Sequence, residues 1–430
     1  MITTVAIVSL GCPKNTADSD MLAGLLSNAG FDLVALPEQA DAVIVNTCGF
    51  IRPACEESLD TIMELASLKR EGRLKRLLVC GCLSERYGEE LRRELPEADR
   101  LFGVAEKDCH SILSELMNAR DVRVTPSPRR IPAGPYAYVK ISEGCDRSCS
   151  FCTIPWIRGG YRSRPQAEIE AEVELLVGHG IKEMVLVGQD TGAWGEDTGG
   201  VSRLPALLES LASRFDAWFR LMYLQPDRVG EDLIDTIAAH ANVCDYFDIP
   251  FQHASEQVLR RMGRWGSEEE FLGLISGIRS ALPQAAIRTS LIVGFPGETE
   301  RDFEVLAGFV RRARFDYAGL FLFSPEEGTL AAKLDGGVQE SVALERHRML
   351  GDLADDIGWD RLRRRKGARL DVLVEGISDE EGGASRGRSQ YQAPEVDGEC
   401  LIRNLRARVG EVVGVSVTGT DDYDMICERA

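Results

Sequence analysis

The nine residues Gly144-Cys-Asp-Arg-Ser-Cys-Ser-Phe-Cys152 constrain this chain more than any other stretch. They set three thiols at positions 145, 149 and 152, the spacing C-x3-C-x2-C, just after the apolar run Tyr136–Ile141. A loop so short can deliver three thiolates to one metal centre, yet it supplies no fourth ligand. No cysteine or histidine follows until His179, which leaves a tetrahedral zinc set locally incomplete. Thiolate-only ligation points to an iron–sulfur cluster, and a cube held by three cysteines keeps one iron open for a substrate or cofactor. A structural zinc site or an inert thiol loop is the alternative.

The chain is 430 residues long, enough for two or three domains, and its 44% hydrophobic share supplies a sizeable core. No apolar run reaches membrane-spanning length, and the first residues, Met-Ile-Thr-Thr-Val-Ala-Ile-Val-Ser-Leu, read as a strand and not as a signal peptide. A cytoplasmic location is therefore expected. There, twelve cysteines are better read as metal or catalytic thiols than as a disulfide framework. The net charge of −19 argues against broad attraction to nucleic acid or anionic lipid.

From residue 4 to about 120, short apolar runs alternate with helical stretches. Val5–Leu10, Ala42–Thr47 and Leu77–Val79 read as buried parallel strands, and Asp18–Asn28 and Ala54–Lys69 as helices, with Gly30 and Gly72 as stops. This pattern predicts an open parallel α/β sheet with helices on its faces. Cys12, Cys48 and Cys82 each fall just past the carboxyl end of a strand, the edge where such sheets collect ligands. They are expected to converge there as a second set of three. The alternative is that they are small buried hydrophobes. Cys80 is a rival to Cys82, being two residues away on the same strand. Cys55, Cys109, Cys244, Cys400 and Cys427 have no partner at metal-like spacing and are read as structural.

Residues 121–135, with four prolines, mark a linker. Beyond it the alternation restarts. Strands are expected at Tyr138–Ser142, Glu183–Gly188, Phe219–Leu224, Tyr246–Pro250, Ile287–Gly294 and Tyr317–Phe323, with helices at Gln166–Gly178, Leu204–Phe215, Asp232–Ala239 and Thr299–Ala313. Six such units suit a partial (β/α)6 barrel, whose reactive groups sit at the carboxyl ends of strands. No dinucleotide fingerprint, P-loop or Ser-His-Asp set is present. Residues 340–366 read as a charged helix ending in the basic run Arg361–Lys366. Residues 367–430 read as short strands broken by glycine, a small OB-like barrel.

The C-x3-C-x2-C loop with Phe151 before its last cysteine resembles that of the radical S-adenosylmethionine enzymes. Added to it are Gly-Cys-x-x-Asn at Cys12, Asn-Thr-Cys at Cys48, Gly-Cys at Cys82, and Asn15, Asp18 and Ser19. Together these resemble the methylthiotransferase family over essentially the whole chain. The resemblance implies two [4Fe-4S] clusters and S-adenosyl-L-methionine. Cys145, Cys149 and Cys152 would hold the radical-generating cluster, and Cys12, Cys48 and Cys82 an auxiliary one that handles sulfur. Val187-Gly188-Gln189-Asp190 stands where the superfamily has a Gly-Gly-Glu-like turn for the methionine amino group. Here Gln189 and Asp190 replace it, and Gln252 and Arg288 are expected to face the cofactor. No catalytic side chain is assigned beyond the cluster ligands. For Gln252, Arg288 and His253 the alternative is a satisfied polar group at the barrel rim. The arginines of Cys152–Arg164 are read either as partners of the cofactor carboxylate or an acidic substrate, or as a solvated basic loop.

The resemblance also makes the last barrel a TRAM domain, a module that often contacts RNA. Residues 368–430 carry seven arginines against thirteen acids, a net of −6. A tRNA-binding module should be basic, whereas an acidic one suits a basic protein partner. Gly387–Gly398 and the ending Asp422-Tyr-Asp-Met resemble the branch that methylthiolates the β-carbon of an aspartate in a small-subunit ribosomal protein. The other readings are a tRNA methylthiotransferase acting on isopentenyladenosine and a non-catalytic iron–sulfur carrier. A reduced donor of flavodoxin or ferredoxin type, no membrane partner and a monomeric state are expected. Domain limits are expected at 1–120, 136–366 and 367–430, with the linker at 121–135.

Overall fold

The computed structural model describes residues 2–118, 129–378 and 383–430. Residues 121–128 of the expected linker, and Asp379, Glu380 and Glu381 of the acidic tail, lie outside them. The chain forms two compact units. One comprises Met1–Pro132, Glu143–Arg147 and Cys152–Tyr161. The other comprises Ala133–Ser142, Ser148–Phe151 and Arg162–Ala430.

The first unit is built on five parallel strands, β1 (Thr4–Ser9), β2 (Asp32–Leu33), β3 (Ala42–Thr47), β4 (Arg76–Gly81) and β5 (Arg100–Leu101), in the order β2-β1-β3-β4-β5. Helices α1 (Pro13–Asn28) and α4 (Ala105–Met117) cover one face, where Leu22, Leu26, Ile112 and Leu113 pack on Val5, Ile44 and Leu78. Helices α2 (Arg52–Arg70) and α3 (Cys82–Glu94) cover the other, through Ile62, Leu65, Leu83 and Leu91. Helix α1 begins five residues before the expected Asp18, because Pro13 is compatible with a first helical turn. The sheet order places a topological switch point between β1 and β3, and a crevice opens at the carboxyl ends of such neighbours.

The second unit holds six parallel strands in two three-stranded sheets. They are β6 (Tyr136–Lys140), β7 (Glu183–Val187), β8 (Trp218–Leu221), β9 (Tyr246–Asp248), β10 (Ala286–Val293) and β11 (Tyr317–Leu322). The order is β6-β7-β8 and β9-β10-β11, and Phe219 of β8 bridges to Val243 just before β9. This is the open six-unit barrel expected. The helix Gln166–Gly178 coincides with its expected span, and Thr299 caps the next-to-last barrel helix by exchanging bonds with Asp302.

A closed five-stranded barrel follows: β12 (Arg369–Ser378), β13 (Ala384–Ser389), β14 (Cys400–Arg403), β15 (Val412–Asp421) and β16 (Asp424–Arg429). Its order is β12-β13-β14-β16-β15, closed by β12 on β15. Val372, Val374, Cys400, Ile402, Val415, Val417 and Cys427 fill its interior, so Cys400 and Cys427 act as small core residues. The long helix Glu340–Arg363 precedes it. Much of the basic run at the end of that helix is bound to protein. Arg361 donates to Asp316 at 3.1 Å, Arg364 to Asp360 at 2.9 Å, and Arg365 stacks on Tyr391. Among the described residues no helix is long and apolar enough to cross a membrane.

Candidate metal centres

Three strand ends of the first unit bring their thiols together. Cys12 follows β1 and caps α1, Cys48 follows β3, and Cys82 opens α3. Two of the three ride on helix amino ends, where the macrodipole favours a thiolate. Gly11 has φ +87°, and a Cβ there would lie 2.9 Å from Cys48 Sγ and 2.6 Å from its Cβ. Only a residue without a side chain lets the β1 and β3 ends approach so closely. Asn15 ties the same ends together, its amide donating to Leu10 O and to Thr47 O at 2.9 Å each. Asn46 donates in turn to Asn15 O and to Ser19 Oγ at 3.0 Å, and Ser58 Oγ donates to Cys48 O at 3.0 Å. These bonds explain why Asn15 and Ser19 accompany the cysteines.

Cys80 does not join this group. It is sealed in the core with Leu22, Leu26 and Ile112, where burial pushes its thiol far up. The rivalry with Cys82 assumed strand alternation, but Gly81, at φ +101°, turns the chain and Cys82 is already helical. Burial pushes the Cys82 thiol up to about 11 while Arg158 draws it down, and Cys12 and Cys48 each act on it through their charge. Burial also raises Cys48. Three thiols gathered at the carboxyl edge of a parallel sheet are the kind of donor set that can hold an iron–sulfur cluster, and ligation would deprotonate them.

The second triad lies in the loop after β6. Gly144, at φ +75°, has no room for a side chain, since a Cβ there would stand 2.2 Å from Gly160 O, and Cys145 N donates to Gly159 O at 3.1 Å. Within the second unit, Ser150 N donates to Met262 O at 2.9 Å and Ser150 Oγ to Arg261 O at 2.8 Å. Arg264 places Nη1 3.7 Å from Cys149 Sγ while Nη2 donates to Pro250 O at 2.7 Å. Sequence reasoning passed over Arg264, because nothing in its neighbourhood of the chain marks it as a thiol's partner. The three side chains of this loop are thiols on a single short segment, and they suit a cluster with one open iron.

Gln189 and Asp190 follow β7, Asp190 being buried at the start of a short turn whose Thr191 Oγ1 donates to Met222 O at 2.6 Å. Gln252 is held with φ +70°, its N–H donating to Ser290 O and its C=O accepting from Ile292 N. A non-glycine residue in that region is strained, and such strain gathers at functional sites. His253 is fully buried, with Nδ1 accepting from Ser255 N at 3.0 Å and Nε2 3.6 Å from Glu298. Arg288 is the fourth residue expected to face the cofactor. It lies near the start of β10, donates to Asp248 at 3.1 Å, and sets Nε 3.5 Å from Asp397 of the last barrel.

Arg158, one of the arginines expected to meet the cofactor carboxylate, an acidic substrate or solvent, instead meets carboxylates of the protein itself. It ends the short helix α5 (Ile154–Arg158) and is only 2% exposed. Its guanidinium meets Asp18, Glu143, Asn15 and Cys82.

The fold and the two thiol triads define a radical S-adenosylmethionine enzyme with an extra cysteine-bearing α/β domain. Family models agree: uncharacterized protein family UPF0004 matches residues 4–103, the radical SAM superfamily 139–310, and the TRAM domain 367–429. A "ribosomal protein uS12 methylthiotransferase RimO" from Trichlorobacter lovleyi is 42% identical, covering 99% of this chain and 97% of that one. Proteins of the same name from Geobacter sulfurreducens and Cutibacterium acnes are each 41% identical, covering 99% of this chain and 98% of theirs. The chain belongs to the RimO family of radical S-adenosylmethionine methylthiotransferases. Among solved structures, the radical methyltransferase TsrM from Kitasatospora setae aligns with TM-score 0.58 at 18% identity, covering 77% of each chain. The cobalamin-dependent radical enzyme OxsB aligns with TM-score 0.52 at 14% identity, covering 80% of this chain and 56% of its own. At those identities the likeness is one of fold.

Proposed function

We propose that this chain methylthiolates the β-carbon of an aspartate in ribosomal protein uS12, with two [4Fe-4S] clusters and S-adenosyl-L-methionine as cofactors. The observation that carries the reading is the presence of two separate thiol triads, one at the switch-point edge of a parallel sheet and one in a single loop. When bound, the cofactors supply the hydrogen-abstracting radical and the methylthio sulfur. The protein's part is to hold and orient. Cys145, Cys149 and Cys152 hold the radical-generating cluster, with Arg264 beside Cys149. Cys12, Cys48 and Cys82 hold the auxiliary one. Gln189, Asp190 and Gln252 line the S-adenosylmethionine side. Arg288 belongs to that side as well, its guanidinium fixed by Asp248 and Asp397.

The substrate branch rests on charge. The side chains of Arg388 and Asp397, one of each sign, are closed to solvent, so their burial leaves the acidic sign of residues 368–430 unchanged. An acidic surface favours a basic ribosomal protein and disfavours tRNA. We further propose a cytoplasmic monomer fed by a flavodoxin- or ferredoxin-type donor, with domains at 1–120, 136–366 and 367–430 and a linker at 121–135.

The test is anaerobic. Reconstituted protein with reductant, S-adenosylmethionine and sulfide is offered either uS12 or an isopentenylated tRNA. Mass spectrometry then looks for a gain of about 46 Da, CH3S replacing H, a transfer needing both cofactors in one site. Addition to uS12 supports the reading, and addition to tRNA alone overturns the substrate. Absence of 5′-deoxyadenosine would leave only an iron–sulfur carrier.

A further inference from the structure

Arg158 is buried inside the first unit at a point where a charge needs a reason. Nη1 donates to Asp18 Oδ2 at 2.6 Å and to Glu143 Oε2 at 3.3 Å. Nη2 donates to Asn15 Oδ1 and lies 3.4 Å from Cys82 Sγ. Oxygens of Asp18, Glu106 and Glu143 lie within 4.8 Å of one another. The guanidinium bonds two of these three carboxylates, so the trio is a counterion cage and not a cation site. Asp18 and Glu143 are both buried, and neither would stay ionised there alone. A purely structural ion pair would need the carboxylates only. Here one arm of the fork is aimed at sulfur and at the asparagine that ties the ends carrying Cys12 and Cys48.

We propose that Arg158 is a positioning residue of the auxiliary centre, which donates N–H to the Cys82 sulfur and raises the reduction potential of the cluster held there. This rests on the reading that Cys12, Cys48 and Cys82 hold a cluster. Reduction adds negative charge, and both the positive charge and the N–H···S bond favour the more negative state. Partners of ligands tune a metal centre and are nearly as consequential as the ligands themselves. Arg158 follows Cys152 by six residues, so one short segment carries a ligand of the radical centre and a tuning group of the other. Lysine cannot replace it fully, because a single ammonium does not span the carboxylates, the amide and the sulfur with a planar fork.

The experiment uses the full chain with Cys145, Cys149 and Cys152 all changed to Ala, so that only the auxiliary site can load. Arg158 is compared with R158K and with the charge-compensated pair D18N/R158Q, which spares Asp18 an unpaired buried charge. Iron content and spectroelectrochemical midpoint potential are measured on each, with circular dichroism as the check of fold. About four irons per chain are expected in all three. The midpoint should shift downward in R158K and in D18N/R158Q, the latter through loss of the N–H···S bond with the two removed charges offsetting each other. Full iron content with an unchanged midpoint overturns the proposal. So does loss of iron from both variants with the fold intact, which would make Arg158 a scaffold alone. If the parent with Arg158 intact binds no iron, the two-cluster reading fails and takes the proposal with it.

Discussion

Arg388 of the last barrel donates through Nη2 to Glu183 Oε2 at 2.6 Å, and both side chains are closed to solvent. The other oxygen of Glu183 accepts from Arg220 Nε at 2.6 Å, and Arg220 goes on to donate to Gln390 O at 2.8 Å. One carboxylate at the start of β7 therefore serves two arginines and pins the five-stranded barrel to the six-stranded one. Burial alone would raise the Glu183 pKa, but Arg388 and then Arg220 outweigh it and hold it below the ordinary value.

Removing that carboxylate leaves buried Arg220 without its carboxylate partner and Arg388 with Glu375 alone. Glu183→Gln is expected to destabilise the protein by about 3–5 kcal/mol in chemical unfolding. Limited proteolysis should release residues beyond 367 sooner than in the parent. Because the folded pKa is lowered, the contribution of Glu183 is present above its unfolded value and is lost as pH falls toward the folded one. A loss below about 1 kcal/mol would mean the trio is a surface-like pair despite its burial.

Asp397 should show the opposite sign. Burial raises its pKa to about 6, against the pull of Arg288 and the Tyr246 hydroxyl, which donates at 2.7 Å. The folded chain then holds this proton more tightly than the unfolded one, so stability falls as pH rises from about 4 to about 6. A rise of that size corresponds to about 3 kcal/mol. Unfolding midpoints of the parent and Asp397→Asn, taken at pH 4.5 and pH 7, should diverge, the parent losing ground at pH 7. Parallel slopes would exclude Asp397 as the source.

The two neighbouring cysteines of β4 and α3 should separate cleanly. Cys82→Ala is expected to lose about four irons per reconstituted chain, one cluster's worth. Cys80→Ala should retain them, with a modest cost in stability from the core vacancy. Equal iron loss from both would return Cys80 to the ligand set.

Arg264→Gln removes the cation beside Cys149 while leaving every ligand in place. A supporting partner of this kind is expected to matter 10–100-fold, read as the rate of 5′-deoxyadenosine formation. Iron content should be unchanged. A parental rate would show that the bond to Pro250 O is the whole of its role.

The parallel sheet, the six βα units and the closed barrel were legible because apolar runs of strand length and helical periods are local signals. The strand-end positions of Cys12, Cys48 and Cys82 and the single loop of Cys145, Cys149 and Cys152 were legible too, being properties of short segments. The edge strands Asp32–Leu33 and Arg100–Leu101 were missed, as two-residue strands leave no period to read. The basic run after residue 360 read as the end of a charged helix, and only the folded chain shows Arg361 and Arg365 turned onto Asp316 and Tyr391.

Sequence by itself determined the elements, the thiol triads and the sign of the tail's charge, because each depends on residues close together in the chain or on a simple count. Tertiary structure decided which charges are spoken for. Arg158 with Asp18, Arg388 with Glu183 and Arg288 with Asp397 are each separated by more than a hundred residues. A buried ion forms such a pair because leaving it alone out of water costs several kcal/mol, and packing, not spacing, selects the partner that relieves it.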